Sequence, residues 1–143
     1  MKDQINKAWS WLKVEATEIV QSNKFGNVIF RDIHGQFWRI CPEELLCEII
    51  ADSVEKYNLL IKDEDFLMDW FMEALVEKAE DKFGPQPNER CFCLKMPVVL
   101  GGAYDIDNIG TVPRLELITF SGDIAGKIKD LPDGSKVEFK FVD

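Results

Sequence analysis

Apolar positions at the start of the chain recur at helical spacing: Ile5, Ala8, Trp9, Leu12, Ala16, Ile19 and Val20. Lys7, Lys13, Glu15 and Glu18 fall mostly elsewhere, so the period predicts an amphipathic helix over residues 3–22. The run Ser22-Asn23-Lys24-Phe25-Gly26 supplies its stop. Asn27–Arg31 and Gln36–Ile40 then flank Asp32-Ile33-His34-Gly35, which predicts a hairpin. After Pro42, the Glu43–Ala51 stretch fits either a helix or a turn leading to a strand at Leu46–Ile50, and the strand is favoured. Ser53 is placed to cap a short helix through about Leu60.

The strongest helical pattern runs from Asp63 to about Lys82. Asp63, Glu64 and Asp65 sit in its first turn, where negative charge meets the positive end of the helix dipole. At about 100° per residue, Leu67, Met68, Trp70, Phe71, Met72 and Leu75 share an arc of roughly 200°. Asp65, Asp69, Glu73, Glu77, Glu80 and Asp81 take the complementary arc. So wide an apolar arc predicts a helix close to the centre of the fold.

Gly84-Pro85-Gln86-Pro87-Asn88 ends that helix. Cys91–Leu94 and Met96–Leu100 read as extended, followed by a turn at Gly101-Gly102. Ile109–Phe120 also reads as extended, with Pro113 limiting regular pairing. Ser121 could cap a helix carrying Ile124, Ala125, Ile128 and Leu131, stopped by Pro132-Asp133-Gly134. Lys136–Val142 alternates as a half-buried strand does. No repeat or long linker divides the 143 residues, and 46% of them are hydrophobic. The expectation is a single α+β domain, an antiparallel or mixed sheet packed against several helices including residues 63–82.

Charge sharpens this picture. The net charge is −9, and residues 63–89 alone hold 2 basic and 9 acidic groups, a balance of −7. A surface of that sign repels phosphate backbones and attracts basic proteins, which disfavours direct nucleic-acid binding. No apolar run approaches the roughly 18 residues of a membrane span. Met-Lys-Asp-Gln-Ile-Asn-Lys at the start lacks a signal peptide's apolar core, so a cytoplasmic location is expected.

Candidate chemistry is sparse. Cys41 and Cys47, with Cys91 and Cys93, do not show the Cys-x2-Cys spacing of structural zinc. Cys91 and Cys93 alternate with Phe92 and Leu94 as small buried strand residues would. Asp105-Ile-Asp107-Asn108 lacks the further ligands of a calcium loop. The single histidine, His34, sits before Gly35 in the hairpin turn with no Cys-His or Ser-His pattern around it. Neither a catalytic site nor a metal or cofactor is expected.

The stretch from Cys93 to Gly134 resembles the C-terminal domain of immunity proteins of the Tdi/Tsi type. The resembling pieces are Gly84-Pro85, Pro97 leading into Leu100-Gly101-Gly102, Tyr104, Asn108-Ile109 and Lys127-Ile-Lys-Asp-Leu-Pro132. A weaker likeness through Phe30-Arg-Asp32, Gly35, Phe37-Trp38 and Glu43 extends it to about residues 25–142. Many relatives carry a GAD-like module ahead of this domain, where this chain has only residues 1–24. Several members of the family protect bacteria from nuclease toxins delivered by type VI secretion.

The resemblance implies a cytoplasmic protein that binds a cognate protein toxin, a basic nuclease being the natural fit to the acidic segment. It offers no catalytic residues to carry over. Asp65, Asp69, Glu73, Glu77 and Glu80 are the candidate partner-binding residues, matching a toxin's basic groove. The alternatives are a solvated acidic face, a protein-binding adaptor of the same fold without a toxin, and a Cys-dependent metal-binding protein or enzyme.

Overall fold

The computed structural model describes residues 1–131, so the Pro132-Asp133-Gly134 stop and the strand predicted at Lys136–Val142 lie outside the described residues. Strands β1 (Ala16–Ser22), β2 (Val28–Asp32), β3 (Phe37–Cys41) and β4 (Leu46–Ala51) form an antiparallel sheet in that order. Helix α1 (Lys2–Ala8) precedes it; α2 (Val54–Leu60), α3 (Glu64–Phe71) and α4 (Glu73–Phe83) follow. A second antiparallel pair, β5 (Arg90–Leu94) with β6 (Ile109–Pro113), leads into α5 (Arg114–Ile128). The α+β class, the hairpin, the strand after Leu46 and the Ser53-capped helix agree with the sequence pattern; the Ser53 hydroxyl accepts the Lys56 N–H.

Both faces of the large sheet are covered, and β2 shows why its sequence reads Val-Ile-Phe. Val28 and Phe30 point to one side, into a core with Ile5 and Trp9 at the N-terminus and Ile118 and Ala125 of α5. Ile29 points to the other side, against Phe37, Ala51, Tyr57 of α2 and Trp70 of α3. A strand buried on both faces has no wet side to alternate with. Beyond the sheet, α4 packs Val76 and Ala79 on Phe92 and Leu94 of β5, Ile109 of β6 and Phe25.

The helix predicted over residues 3–22 is not formed. Helix α1 stops at Ala8, a 3-10 turn spans Ser10–Leu12, Lys13 takes a left-handed backbone, and Ala16–Ser22 is a strand. The reason lies in β1 itself, an edge strand whose register to β2 shifts between Ala16 and Glu18 and again between Ile19 and Gln21. Irregularities of this kind reset the two-residue alternation. Consecutive Ile19 and Val20 therefore serve opposite cores, and burial at 16, 19 and 20 imitates helical spacing.

Two further expectations fail for related reasons. Met96–Leu100 is not a strand; Pro97 instead leads into a 3-10 turn at Val98–Leu100. Of Ile109–Phe120, only Ile109–Pro113 is extended; α5 begins at Arg114, and Ser121 is buried within it rather than capping it, its hydroxyl donating to the Ile118 carbonyl at 3.2 Å. The buried stripe of α5 is Leu117, Ile118, Ser121, Gly122 and Ala125. Three of those five are small residues, so a hydrophobic period hardly shows. They are small because α1 lies directly against them.

Gly122 shows the tightness: a Cβ there would meet the Ala8 carbonyl oxygen at 2.7 Å and its carbon at 2.8 Å. Replacing Gly122 with Ala forces backbone apart, and overpacking of this kind costs about 1–3 kcal/mol. Gly110→Ala meets nothing closer than 3.6 Å, so it is expected to shift stability by no more than about 0.5 kcal/mol. Urea unfolding of the two variants checks the contrast.

Candidate functional site

The continuous helix expected over residues 63–82 is broken. Met72 adopts φ 48°, ψ 41°, which ends α3 and starts α4. Neither glycine nor proline marks the spot. Trp70 and Ala79 are both buried, yet on one straight helix nine residues of about 100° each would point them in opposite directions. The break lets Trp70 enter the core of the large sheet while Val76 and Ala79 enter that of the small one. A left-handed non-glycine residue costs roughly 1–2 kcal/mol, whereas burying a side chain such as Val76 contributes about 1.5–3 kcal/mol. Burial wins.

The expectation that this segment lies at the centre of the fold with its apolar arc inward is overturned as well. On α3 only Trp70 is buried, while Met68 is 75% and Phe71 52% exposed. With Leu67, Met72 and Leu75 they line a groove of about 940 Å³ whose opposite wall is Arg39–Glu44 and Tyr104. Its carboxylates are Glu43, Glu44, Glu64, Asp69 and Glu73. A second depression of about 730 Å³ lies across Phe71 and is lined by Glu73, Glu77, Glu80 and Arg114.

The five candidate carboxylates therefore do not form one ridge. Asp69 and Glu73 share the first groove, Glu73, Glu77 and Glu80 the second, and Asp65 stands on α3 outside both. Two of them are engaged. Asp69 pairs with Arg39 at 2.5 Å, and Glu80 with Lys24 at 2.8 Å. The elbow puts Asp69 on α3 and Glu73 on α4.

The wall of the groove rests on a buried polar cluster that the sequence pattern did not reveal. Asn27 lies fully buried; its amide donates to both Glu43 carboxylate oxygens at 3.0 and 2.8 Å, and its carbonyl accepts the Arg39 Nε–H at 3.1 Å. The Cys41 Sγ donates to the same oxygen at 2.9 Å. Arg39 reaches onward to Asp69 and lies 5.1 Å from the Trp70 ring centroid and 6.0 Å from that of Phe66, which fastens α3 to β3. The available clue was an arginine inside the apolar strand Phe37-Trp-Arg-Ile40: a charge there has to be paired. Nearby, the Tyr104 hydroxyl donates to Glu44 at 3.2 Å, and Asn108 holds the Pro97–Ala103 loop by bonds to Met96 and Ala103.

In the Leu100-Gly101-Gly102 motif the last position has no room for a side chain: a Cβ on Gly102 would fall 1.8 Å from the Met96 carbonyl oxygen. His34 is exposed in its turn, where Asp32 accepts the His34 and Gln36 N–H groups and the Trp38 indole. Burial raises the Cys91 thiol to about 12 and Cys93 to about 11, so both stay protonated and are poor nucleophiles. Burial raises Cys41 too, reinforced by Glu43. Among the described residues, no three His, Cys, Asp or Glu side chains gather as metal ligands would, and no helix is long and apolar enough to cross a membrane.

The site thus supplies apolar contact area and fixed negative charge, the materials of a protein-binding surface. The family model described as T6SS immunity protein Tdi1, C-terminal, matches residues 51–125. That is just over half of the chain, and the chain belongs to this family. A search of curated proteins finds no match. The matched span runs from the end of β4 into α5, so it includes the α3–α4 elbow but not the wall formed by Arg39–Glu44. Membership identifies a type VI secretion immunity protein fold, for which a non-enzymatic role is the family-level implication.

Burial raises Glu43 from 4.5 to about 7, against the lowering effect of its hydrogen bonds and of Arg39. Between those pH values the unfolded chain releases this proton while the folded chain keeps it, so stability present below pH 4.5 is lost as pH rises through 7. Glu43→Gln removes the loss. Relative to the natural chain, the variant should gain on the order of 2–4 kcal/mol between pH 4.5 and 8, read by urea unfolding of both chains across that range.

Proposed function

We propose that this protein is a cytoplasmic immunity protein that binds a cognate secreted toxin, a basic nuclease, and neutralises it by occlusion. The family match over residues 51–125 carries the reading. The concentration of −7 of the −9 net charge within residues 63–89 supports it, since that segment is folded around the exposed elbow. Asp65, Asp69, Glu73, Glu77 and Glu80 are the proposed contacts. Glu73 and Glu77 are exposed and make no ion pair among the described residues, whereas Asp69 and Glu80 would have to share their charge with Arg39 and Lys24.

Occlusion needs no chemistry from the inhibitor. An acidic surface laid over a nucleic-acid-binding cleft competes with phosphate for the same cations, and opposite charge speeds the encounter more than it deepens affinity.

Co-expression with the product of the neighbouring toxin gene tests the reading. The expected result is restored growth and a complex that co-purifies. Persistent toxicity despite soluble co-expression, or the absence of a complex, would overturn it.

A further inference from the structure

The geometry points to a specific occupant for the larger groove: we infer that it seats an amphipathic helix of the partner, apolar along one face and carrying Lys or Arg at its flanks. This rests on the immunity reading and deepens it by naming the element recognised.

The groove is built from Leu67, Met68, Phe71, Met72 and Leu75, with Met68 and Phe71 among the most exposed large apolar side chains of the described residues. Two of the five are methionines, whose flexible thioethers adapt to an incoming surface. Its volume of about 940 Å³ accommodates several side chains at once. Among the described residues the charged rim is acidic: Glu44, Glu64, Asp69 and Glu73 surround the groove, and the cation lining it, Arg39, is already tied to Asp69. Apolar anchors with basic flanks are the complement of that surface.

Backbone chemistry selects a helix over an extended segment. An added strand needs a sheet edge with free N–H and C=O groups. Here one wall is helical and the other is the end of β3, hydrogen-bonded on both sides by β2 and β4, followed by the 3-10 turn Pro42–Glu44 and by Tyr104, so among the described residues no free strand edge lines the groove. A helix satisfies its own backbone and asks only for apolar contact and charge. The left-handed Met72 fits this account, since it splays α3 from α4 and keeps Phe71 and Leu75 at the groove.

Two measurements on the full chain test the inference. The first titrates the protein with a short synthetic helical peptide bearing a leucine face and lysine flanks, following backbone amide shifts. Shifts confined to residues 64–75 and the Arg39–Glu44 wall are expected, and their loss in Met68→Glu. Shifts centred elsewhere, or unchanged by that substitution, would overturn the groove. The second measures binding to the cognate toxin by Met68→Glu and by the double reversal Glu64→Lys with Glu73→Lys. Glu48→Lys with Glu55→Lys, exposed on β4 and α2, provides a reversal of equal size away from the groove. The groove variants are expected to weaken binding roughly tenfold or more, with the double reversal acting mainly on the association rate at low salt. Binding equal to the natural chain in both folded variants would sink the proposal while leaving immunity intact. If the natural chain itself fails to bind the toxin, the immunity reading fails, and the peptide titration still decides the groove.

Discussion

Five residues between β1 and β2, Asn23 to Asn27, connect nearly every part of this molecule. The Asn23 side chain accepts the N–H groups of Phe25 and Asn27 and donates to the Trp70 carbonyl at 2.8 Å, while its backbone carbonyl accepts from Arg114 at 2.7 Å. The Lys24 carbonyl takes the Phe92 N–H, and its ammonium pairs with Glu80. Phe25 enters the core of the small sheet, and Asn27 centres the cluster with Glu43, Arg39 and Cys41. One turn thus reaches α3, α4, α5, β3 and β5. Gly26 makes room for it, since a Cβ there would lie 2.6 Å from Leu117 and 2.9 Å from the Cys91 sulfur.

The site depends on that turn. The two sheets have separate cores, and a single straight helix could not serve both. Asn23 holds the end of α3 by the Trp70 carbonyl, and Lys24 holds α4 by Glu80, on either side of the elbow at Met72. Arg39 adds a third fastening through Asp69 and the face of Trp70. Held in this way from beneath, α3 and α4 turn Met68 and Phe71 outward between carboxylates. The exposed groove is therefore a consequence of how the interior is tied together.

Charge and burial divide the labour among the acidic residues. Glu43 is buried, hydrogen-bonded and raised toward neutrality; it stiffens the wall. Asp69 and Glu80 anchor helices through their cations. Glu64, Glu73 and Glu77 remain exposed and make no ion pair among the described residues. A composition count treats all of these alike, and only the packing distinguishes them.

The sequence by itself determined the α+β class, the β2–β3 hairpin, the capped α2, the location of the excess negative charge and the family, because these rest on local periodicity, turn residues and short motifs. It misread Ala16–Ser22, where register shifts on an edge strand imitate a helix, and the start of α5, where glycine, serine and alanine hide a buried stripe. The break at Met72 left no local trace, since neither glycine nor proline stands near it. Its cause is a demand made from far along the chain: Trp70 and Ala79 belong to different cores. Asn23, Asn27, Arg39 and Glu43 acquire their roles in the same way, through partners up to 91 residues away. Tertiary structure alone decided which carboxylates are free and that the apolar face of the acidic segment opens outward.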